Sequence, residues 1–245
     1  MWTWFLNRGR CATLWSGFGV LSCWALSACG GADDISTEPV TVAVTFDHIP
    51  AAWTLGYSDY TDGTEPSNVT LSLTETLPAP IQQRAVAISG TNRSDDMYAY
   101  IKRPVTGLAP SSVYQAEVSV TLAASVPQGC LGVGGSPGES VYVKTTVSGS
   151  EPQTVRQSSG EWALSIDKGN QANSGTEGQT LGHIANSATD CQYGTTERKT
   201  LRTTTPITVT TDAQGRVWWG LGQDSGYEAG STLVLLNATL TLSPR

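Results

Sequence analysis

Residues 40–46 read VTVAVTF, and the character of the side chain changes at every step. Val40, Val42, Val44 and Phe46 are apolar, whereas threonine or alanine stands between them. Successive side chains of a β-strand point to opposite faces of the sheet, so this period of two predicts a strand with one buried face. The same alternation recurs in VTLSLT (69–74), VYQAEVSVTL (113–122), SVYVKTTV (140–147), RVWWGLG (216–222) and STLVLLNATLTL (231–242).

Turn-forming sequences separate these segments, and no stretch of ten or more residues shows a helical period. The turns include TDGTEPSN (61–68), GLAPSS (107–112), GGSPGES (134–140) and DAQG (212–215). Roughly ten to twelve strands without crossover helices predict an all-β fold, a single antiparallel β-sandwich of the jelly-roll type. The many β-branched and aromatic residues exclude a disordered chain.

The N-terminal residues have the layout of an export signal. A short segment with Arg8 and Arg10 precedes a mostly apolar run, CATLWSGFGVLSCWA. Gly17 and Gly19 interrupt this run, which is also too short for a membrane-spanning helix.

Residues 26–29, LSAC, resemble the lipobox of bacterial lipoproteins. The resemblance implies cleavage before Cys29 and attachment of a diacylglyceryl lipid to its thiol, with acyl chains such as palmitate. An ordinary cleaved signal and an uncleaved anchor are the alternatives. Gly30, instead of aspartate, resembles the pattern that sorts lipoproteins to the outer membrane, so we expect a lipid-anchored protein of the bacterial cell envelope.

These features divide the chain into a signal peptide (1–28), a lipidated flexible tether (29–39) and a β-sandwich domain (40–245). Removal of the signal peptide takes away two arginines and no acids, which changes the formal net charge from −7 to −9. Phosphate binding requires clustered lysine and arginine, so the acidic balance argues against nucleic-acid partners.

The five cysteines fall into three groups under the lipoprotein interpretation. Cys11 and Cys23 leave with the signal peptide, Cys29 carries the lipid, and Cys130 and Cys191 remain. In an oxidising compartment the remaining two are expected to form a disulfide. Two buried free thiols are the alternative, and neither cysteine has a Cys or His neighbour at the spacing of a zinc site.

The strand sequences also resemble carbohydrate-binding modules with jelly-roll folds. GLAPSSVYQAEVSVTLAA (107–124) is similar to a strand entry common in those modules, and residues 231–242 to their last strand, with Asn237 where aspartate is frequent. FDHIPAAWTLGYSDY (46–60) resembles their first hairpin. The whole chain resembles uncharacterised bacterial envelope lipoproteins that carry such a domain.

The resemblance implies non-catalytic binding of a glycan or another envelope component. The alternatives are a structural or adhesion lipoprotein without a small ligand, and a carbohydrate-active hydrolase. Sugars bind to flat aromatic faces, for which the candidates are Trp53, Tyr57, Tyr60, Trp162, Trp218, Trp219 and Tyr227. Trp218 and Trp219 are adjacent and must point to opposite faces of one strand.

Four polar, glycine-containing stretches are the predicted ligand-binding loops: NRSDD (92–96), PGES (137–140), DKGNQ (167–171) and DSGYE (224–228). DKGNQ begins a polar run, 167–183, that is long for a connection. A network of salt bridges, or solvated loops, would explain the same residues. The predicted ligand-binding residues are Arg93, Asp95, Glu139, Asp167, Lys168, Asn170, Asp224 and Glu228.

Catalytic signals are weak, which favours a protein that is not an enzyme. Ser136 lies in GGSPG, which matches the G-x-S-x-G motif, and Asp167 and His183 follow in the order of α/β-hydrolases. However, Pro137 lacks the N–H that an oxyanion hole needs, and no helix is predicted after it.

No cofactor is predicted, although calcium is the metal that these sequences best accommodate. Asp59 and Asp62, or Asp95 and Asp96, supply the carboxylates that calcium prefers, but not at EF-hand spacing. Such acids also occur in ordinary turns, where they accept backbone hydrogen bonds.

Overall fold

Residues 38–192 and 194–245 are described by the computed structural model, and they contain strands and turns but no helix. The strands form two main antiparallel sheets that pack face to face, so the predicted all-β sandwich is confirmed. The signal peptide, Cys29 and most of the tether lie outside the described residues. Within the described ranges, no helix has the length and apolar character that a membrane crossing requires.

The first sheet is built around its two longest strands, which lie side by side and pair over most of their length. Its seven strands are β1 (Val40–Thr45), β4 (Ser67–Leu73), β5 (Val86–Thr91), β7 (Val113–Ala124), β14 (Glu197–Arg202), β15 (Ile207–Thr210) and β17 (Gly230–Pro244). β17 pairs with β7 along one edge and with β5 and then β1 along the other. β14 and β15 follow one another along the free edge of β7.

The second sheet has the order β13-β8-β16-β6-β2. Its strands are β2 (Thr54–Ser58), β6 (Met97–Val105), β8 (Val141–Ser148), β13 (Gly178–His183) and β16 (Val217–Ser225). From β5 to β8 each strand lies in the sheet opposite to its predecessor, and β15, β16 and β17 alternate in the same way. This alternation is the jelly-roll connectivity that the turn-separated strands predict.

The core lies between the sheets and consists of the inward side chains of the alternating strands. Trp53 packs edge-on against Trp219, with ring centroids 5.3 Å apart, and against Phe46 at 5.8 Å. Trp219 is fully buried in the core, whereas Trp218 is half-buried on the opposite face of the same strand. The predicted division of the two tryptophans between the faces of β16 is therefore confirmed.

A further layer covers the outer face of the second sheet. It is formed by residues 149–177, which we call the covering segment, and contains β9 (Thr154–Arg156), β10 (Glu161–Leu164), β11 (Gly169–Asn170) and β12 (Asn173–Ser174). The short strand β3 (Tyr60–Thr61) pairs with β10. Leu164 and Ile166 of the segment pack on Tyr98 and Tyr100 of β6, so β6 is buried on both faces.

Two expectations about connections are wrong. Residues 46–60 do not form a hairpin, because β1 pairs with β17 in the first sheet and β2 with β6 in the second. The residues between β1 and β2 pass from the first sheet to the second at the edge of the core, where Phe46 and Trp53 contact each other. The polar run 167–183 is not one long loop, since it contains the β11–β12 pair and the edge strand β13. Its strands lack apolar alternation, which is why the sequence did not reveal them.

Cys130 and Cys191 form a disulfide, as predicted, with their Cα atoms 5.5 Å apart. The bond joins the connection between β7 and β8 to the connection between β13 and β14. These two connections also meet at an isolated β-bridge between Val126 and Ala185, and Cys130 itself is buried.

Candidate functional site

Lys168 of the covering segment extends into the second sheet and ends among acidic side chains. Its Nζ lies 2.6 Å from Asp59 Oδ2 and 2.8 Å from Asp224 Oδ2. The same Nζ is 5.0 Å from the ring centre of Tyr98. The side chains of Lys168, Asp59 and Asp224 are 5%, 7% and 0% exposed, so the ion pairs are almost completely removed from solvent.

Lys144 of β8 is the second cation of this group and is fully buried. Its Nζ donates to the carbonyl of Asn173 and to Thr180 Oγ1, both at 2.8 Å, and lies 3.8 Å from Asp224 Oδ2. It therefore anchors the covering segment to the sheet as well as balancing an acid. Asp59, Asp96, Lys144, Lys168 and Asp224 together are called the charge cluster below.

Asp96 binds its proton more tightly than an ordinary aspartate does. Burial, followed by the neighbouring charges of Asp224 and Asp59, raises the pKa of Asp96 to about 7. The Oδ1 atoms of Asp96 and Asp224 are both buried without a hydrogen-bond partner among the described residues. The environment of the charge cluster therefore favours the protonated form of Asp96.

The cations respond to burial in different ways. Burial lowers the pKa of Lys144 to about 8, against the attraction of Asp224. Burial also opposes the charge of Lys168, but Asp224 and Asp59 outweigh it and raise the pKa of that ammonium. Lys168 is therefore the permanent positive charge of the cluster.

Three aromatic rings line an open concavity next to the cluster, which we call the aromatic concavity. The centroids of Tyr57 and Tyr60 are 5.5 Å apart, and Tyr60 is stacked on Trp162 at 6.3 Å with an interplanar angle of 15°. All three are half-buried. The concavity has a volume of about 350 Å³, and its remaining lining residues are Leu55, Gly56 and Thr154.

An unusual backbone conformation at Asp59 brings the two tyrosines together. Residues three apart in a regular strand point to opposite faces, so Tyr57 and Tyr60 would be separated by the sheet. Asp59 has φ of 69°, in the left-handed region, and lies between β2 and β3. This break in the strand turns Tyr60 to the side of Tyr57 and directs Asp59 into the charge cluster.

Polar groups surround the aromatic rings. The indole Nε1 of Trp162 donates to Asp62 at 2.7 Å, and Arg156 pairs with the same carboxylate at 2.8 Å. Tyr57 donates its hydroxyl to Glu65 at 2.8 Å, and this hydrogen bond raises the pKa of Tyr57 to about 12. The rings are thus held in place by exposed acids and an arginine that can also contact a ligand.

Two further concavities connect the aromatic rings to the charge cluster. The first, of about 340 Å³, is lined by Tyr60, by the acids Asp59, Asp96 and Glu161, and by hydroxyl-bearing residues. The second, of about 180 Å³, shares Asp59, Asp96 and Glu161 and adds Asp167. We call this series the groove. The hydroxyl-bearing residues that line it are Thr61, Thr64, Ser94 and Ser159.

The structure gathers part of the predicted ligand-binding set. Lys168 and Asp224 belong to the charge cluster, and Asn170 donates to Asp96 Oδ2 at 3.2 Å. The carbonyl of Asp95 accepts a hydrogen bond from Gln171 at 2.8 Å. Asp167 lines the groove, where it accepts hydrogen bonds from Thr176 and Gly169.

The other predicted residues have partners outside the charge cluster. Arg93 is exposed, and its guanidinium donates to the carbonyl of Glu65 at 3.4 Å. Glu139 accepts hydrogen bonds from Ser136 and from the backbone of Gly129. Glu228 lies beside Gly134, at which an added Cβ would be 2.8 Å from the Glu228 Cγ.

Sequence reasoning named the aromatic rings as candidates but did not group them. Trp53 and Trp219 belong to the core, and Tyr227 packs against it. Trp218 lies apart from the concavity, with Lys102 Nζ 5.7 Å from its ring centre. Sequence reasoning missed Lys144 entirely, because nothing in SVYVKTTV distinguishes a buried lysine from one on a solvated strand face.

In each of the two acid pairs considered for calcium, one acid belongs to the charge cluster and the other does not. Asp59 and Asp96 join Asp224, and carboxylate oxygens of all three lie within 4.8 Å of one another. Asp62 instead holds Trp162 and Arg156. Lys168 Nζ already lies 2.6 Å from Asp59 Oδ2 and 2.8 Å from Asp224 Oδ2, so an ammonium group occupies the position between these carboxylates that a metal ion would need. The donor set therefore does not fit calcium.

The residues considered for hydrolysis do not form a catalytic site. Ser136 donates to Glu139, and the imidazole of His183 contacts Lys199 Nζ at 3.4 Å. Asp96 and Asp224 are close together, but the Asp224 side chain has no exposed surface. A glycoside hydrolase needs two carboxyl groups that both reach the substrate, which this pair does not provide.

No protein-family model matches the chain, and no curated protein matches it. Among solved structures, it is similar to TmCBM27, a carbohydrate-binding module described for specific mannan recognition (10% identity, TM-score 0.39, 85% of this chain and 99% of that one). It is also similar to the K1 cleaved adhesin domain of Lys-gingipain from Porphyromonas gingivalis W83 (11%, 0.36, 84% and 99%). A third is TmCBM61, solved with β-1,4-galactotriose (9%, 0.32, 77% and 88%). Such low similarities assign neither a ligand nor an activity to this chain.

Proposed function

We propose that this protein binds a glycan, without catalysis, through the groove that begins at Tyr57, Tyr60 and Trp162. The observation that supports it best is the aromatic concavity, in which three rings from separate parts of the chain line one open surface. Pyranose rings have apolar C–H faces that stack on aromatic side chains, and hydroxyl groups that require hydrogen-bond partners. The groove offers aromatic faces in the aromatic concavity and hydrogen-bonding groups in the neighbouring concavity.

The rings are also prepared for binding before a ligand arrives. Trp162 and Tyr57 are each fixed by a hydrogen bond to a carboxylate, and Tyr60 is packed between them. Fixed rings lose little conformational freedom on binding, which favours affinity. At Gly56 in the same concavity, an added Cβ would be 2.5 Å from the Tyr100 ring, so the floor of the site is closely packed.

Replacement of Trp162 by alanine tests this proposal. We expect Trp162→Ala to weaken binding to the glycans that the wild type selects from a broad panel by at least about tenfold, equivalent to roughly 1.4 kcal/mol. Titration calorimetry or surface plasmon resonance measures the change. Trp218→Ala is the matched control, since Trp218 is also half-buried on the second sheet but lies outside the concavity. Equal losses in both variants, or no glycan bound by the wild type, would contradict the proposal.

We also propose that the protein is attached by lipid on Cys29 to the bacterial cell envelope, at the outer membrane. The support is the sequence LSAC behind an apolar run and two arginines. The polar sequence of residues 29–39 predicts a flexible tether, and a flexible chain of about ten residues has an average reach near 17 Å, which would hold the groove close to the membrane surface. A glycan or another component of the envelope is then within reach.

Replacement of Cys29 by alanine tests the attachment. We expect Cys29→Ala to lose the lipid and to remain unprocessed by the lipoprotein peptidase, since the thiol is the site of acylation. Metabolic labelling with a fatty-acid analogue, together with membrane fractionation, measures both effects. Cys23→Ala serves as the control within the same N-terminal region. A wild-type protein that carries no label would overturn the interpretation of Cys29.

A further inference from the structure

Resting on the proposed function, we infer that the glycan bound in the groove carries a free amino group, which is held as an ammonium at the end lined by Asp59, Asp96 and Glu161. The aromatic concavity by itself favours any sugar ring. The other end of the groove is therefore the part that selects among glycans, and its chemistry is acidic.

The charge cluster behind this end lacks positive charge when its acids are ionised. Asp59, Asp96 and Asp224 supply three negative charges when ionised, and Lys144 and Lys168 supply two positive charges. The cluster is therefore one positive charge short of neutrality. A monovalent cation corrects this shortfall, whereas a divalent metal ion exceeds it.

A buried carboxylate oxygen of Asp224 has no hydrogen-bond partner among the described residues. The side chain of Asp224 is completely buried, and its Oδ2 is occupied by Lys168 and by the backbone N–H of Gln171. Its Oδ1, on the side of Asp96, has no hydrogen-bond partner among the described residues. Buried polar atoms are nearly always paired in native proteins, so an unpaired carboxylate oxygen indicates a missing proton or cation. Asp96 lines the groove, and one of its carboxylate oxygens lies within 4.8 Å of a carboxylate oxygen of Asp224.

The charge cluster already accommodates one ammonium group, that of Lys168. Lys168 Nζ is held by two carboxylates and lies 5.0 Å from the centre of the Tyr98 ring. Carboxylates combined with an aromatic face are a typical environment for an organic ammonium. The lining of the groove adds Glu161 and Asp167, and Lys168 is the one cation among the residues that line its acidic end. That end is therefore attractive to a second ammonium group.

Three oligosaccharides with the same β-1,4-linked backbone test the inference: the tetramers of glucosamine, of N-acetylglucosamine and of glucose. They differ at C2, which carries an amine, an acetamide or a hydroxyl. We expect the purified full chain to bind the glucosamine tetramer at least about tenfold more tightly than either neutral tetramer. The preference should decrease as the salt concentration rises from about 20 to 500 mM, because the ammonium remains partly exposed to solvent.

Variants separate this inference from the proposed function. Asp96→Asn and Glu161→Gln should each reduce the preference for the amine to within about threefold. Trp162→Ala should weaken all of the sugars by a similar factor. Asp190→Asn, which removes an exposed carboxylate of the disulfide region, should change neither property.

Several outcomes would overturn the inference while the proposed function survives. One is equal binding of the three tetramers with a loss in Trp162→Ala, and another is a panel whose best ligands, bound through Trp162, carry no amine. A third is that methylammonium chloride alone binds as tightly as the glucosamine tetramer, which would make the cluster an amine site independent of sugar. If no glycan in the panel binds, the proposed function and this inference both fail.

Discussion

Lys168→Met is expected to lower the free energy of unfolding by about 3–5 kcal/mol at pH 7, the usual cost of leaving a buried ion pair without one partner. Methionine keeps much of the length of the side chain but removes the ammonium that lies 2.6 Å from Asp59 and 2.8 Å from Asp224. Both carboxylates are nearly or fully buried, so water cannot replace the lost partner. Urea unfolding followed by tryptophan fluorescence measures the change.

Two comparisons distinguish the loss of charge from a loss of packing. Asp224→Asn added to Lys168→Met should restore part of the stability, because one of the abandoned charges is then absent. The penalty should also be smaller at pH 5, where the remaining carboxylates can take up protons. Arg156→Met is the matched control, since its ion pair with Asp62 is exposed and should contribute no more than about 1 kcal/mol. A Lys168→Met penalty as small as that of the control would show that the cluster does not support the fold.

The second expected result concerns the dependence of stability on pH. The pKa of Asp96 is raised from 3.8 to about 7, so the folded protein holds its proton more strongly than the unfolded chain does. The resulting stabilisation is complete below about pH 4 and is lost as the pH rises through about 7. We expect the loss between pH 5 and pH 7.5 to be about 2 kcal/mol, after allowance for the partial exposure of Asp96.

Asp96→Asn should remove this dependence, because the amide stays neutral throughout and can donate to Asp224. The variant should match the wild type at pH 5 and exceed its stability at pH 7.5. Burial lowers the pKa of His183, which gives the opposite trend, so the difference between wild type and variant is the informative quantity. Burial lowers the pKa of Lys144 to about 8, so this lysine is half deprotonated at that pH, which sets the upper limit of the window. Profiles that run parallel for both proteins, as we expect for Asp190→Asn, would refute the raised pKa of Asp96.

The two experiments also bear on the groove. The charge cluster fixes the covering segment, which carries Trp162, against the second sheet. A chain weakened at Lys168 can therefore lose glycan binding through displacement of Trp162. Glycan binding by Lys168→Met should therefore be measured without urea, or at urea concentrations at which the variant is fully folded.

Much of the fold was predictable because alternation is a local property. Val40 to Phe46 and the repeats of their pattern fix which side chains face inward, and the turn sequences fix where each strand ends. The division of Trp218 and Trp219 between two faces follows from the same rule. The disulfide followed from the count of cysteines once Cys29 was assigned to the lipid, and the bond between Cys130 and Cys191 is present.

The site was less predictable because its parts come from distant positions in the chain. Tyr60 and Trp162 stack across 102 positions of sequence, and Lys168 reaches Asp59 across 109. The prediction of polar ligand-binding loops included Lys168 and Asp224, with a network of salt bridges as the alternative, but it did not indicate that these two charges are buried. Their burial depends on the covering segment, whose strands have no apolar period for sequence analysis to detect.

The sequence by itself determined the all-β class, the positions of six principal strands (β1, β4, β7, β8, β16 and β17) and the pairing of the last two cysteines, because each of these depends on short-range alternation, on turn residues or on a count. The tertiary structure decided that residues 149–177 cover the second sheet, that Asp59 breaks its strand and that four charged side chains are buried together beside the half-buried Asp96. Burial of a charge depends on what packs over it, and the packing partners of the cluster lie far away in the chain. That dependence on long-range contacts is the physical reason why the fold can be derived from local patterns and the groove cannot.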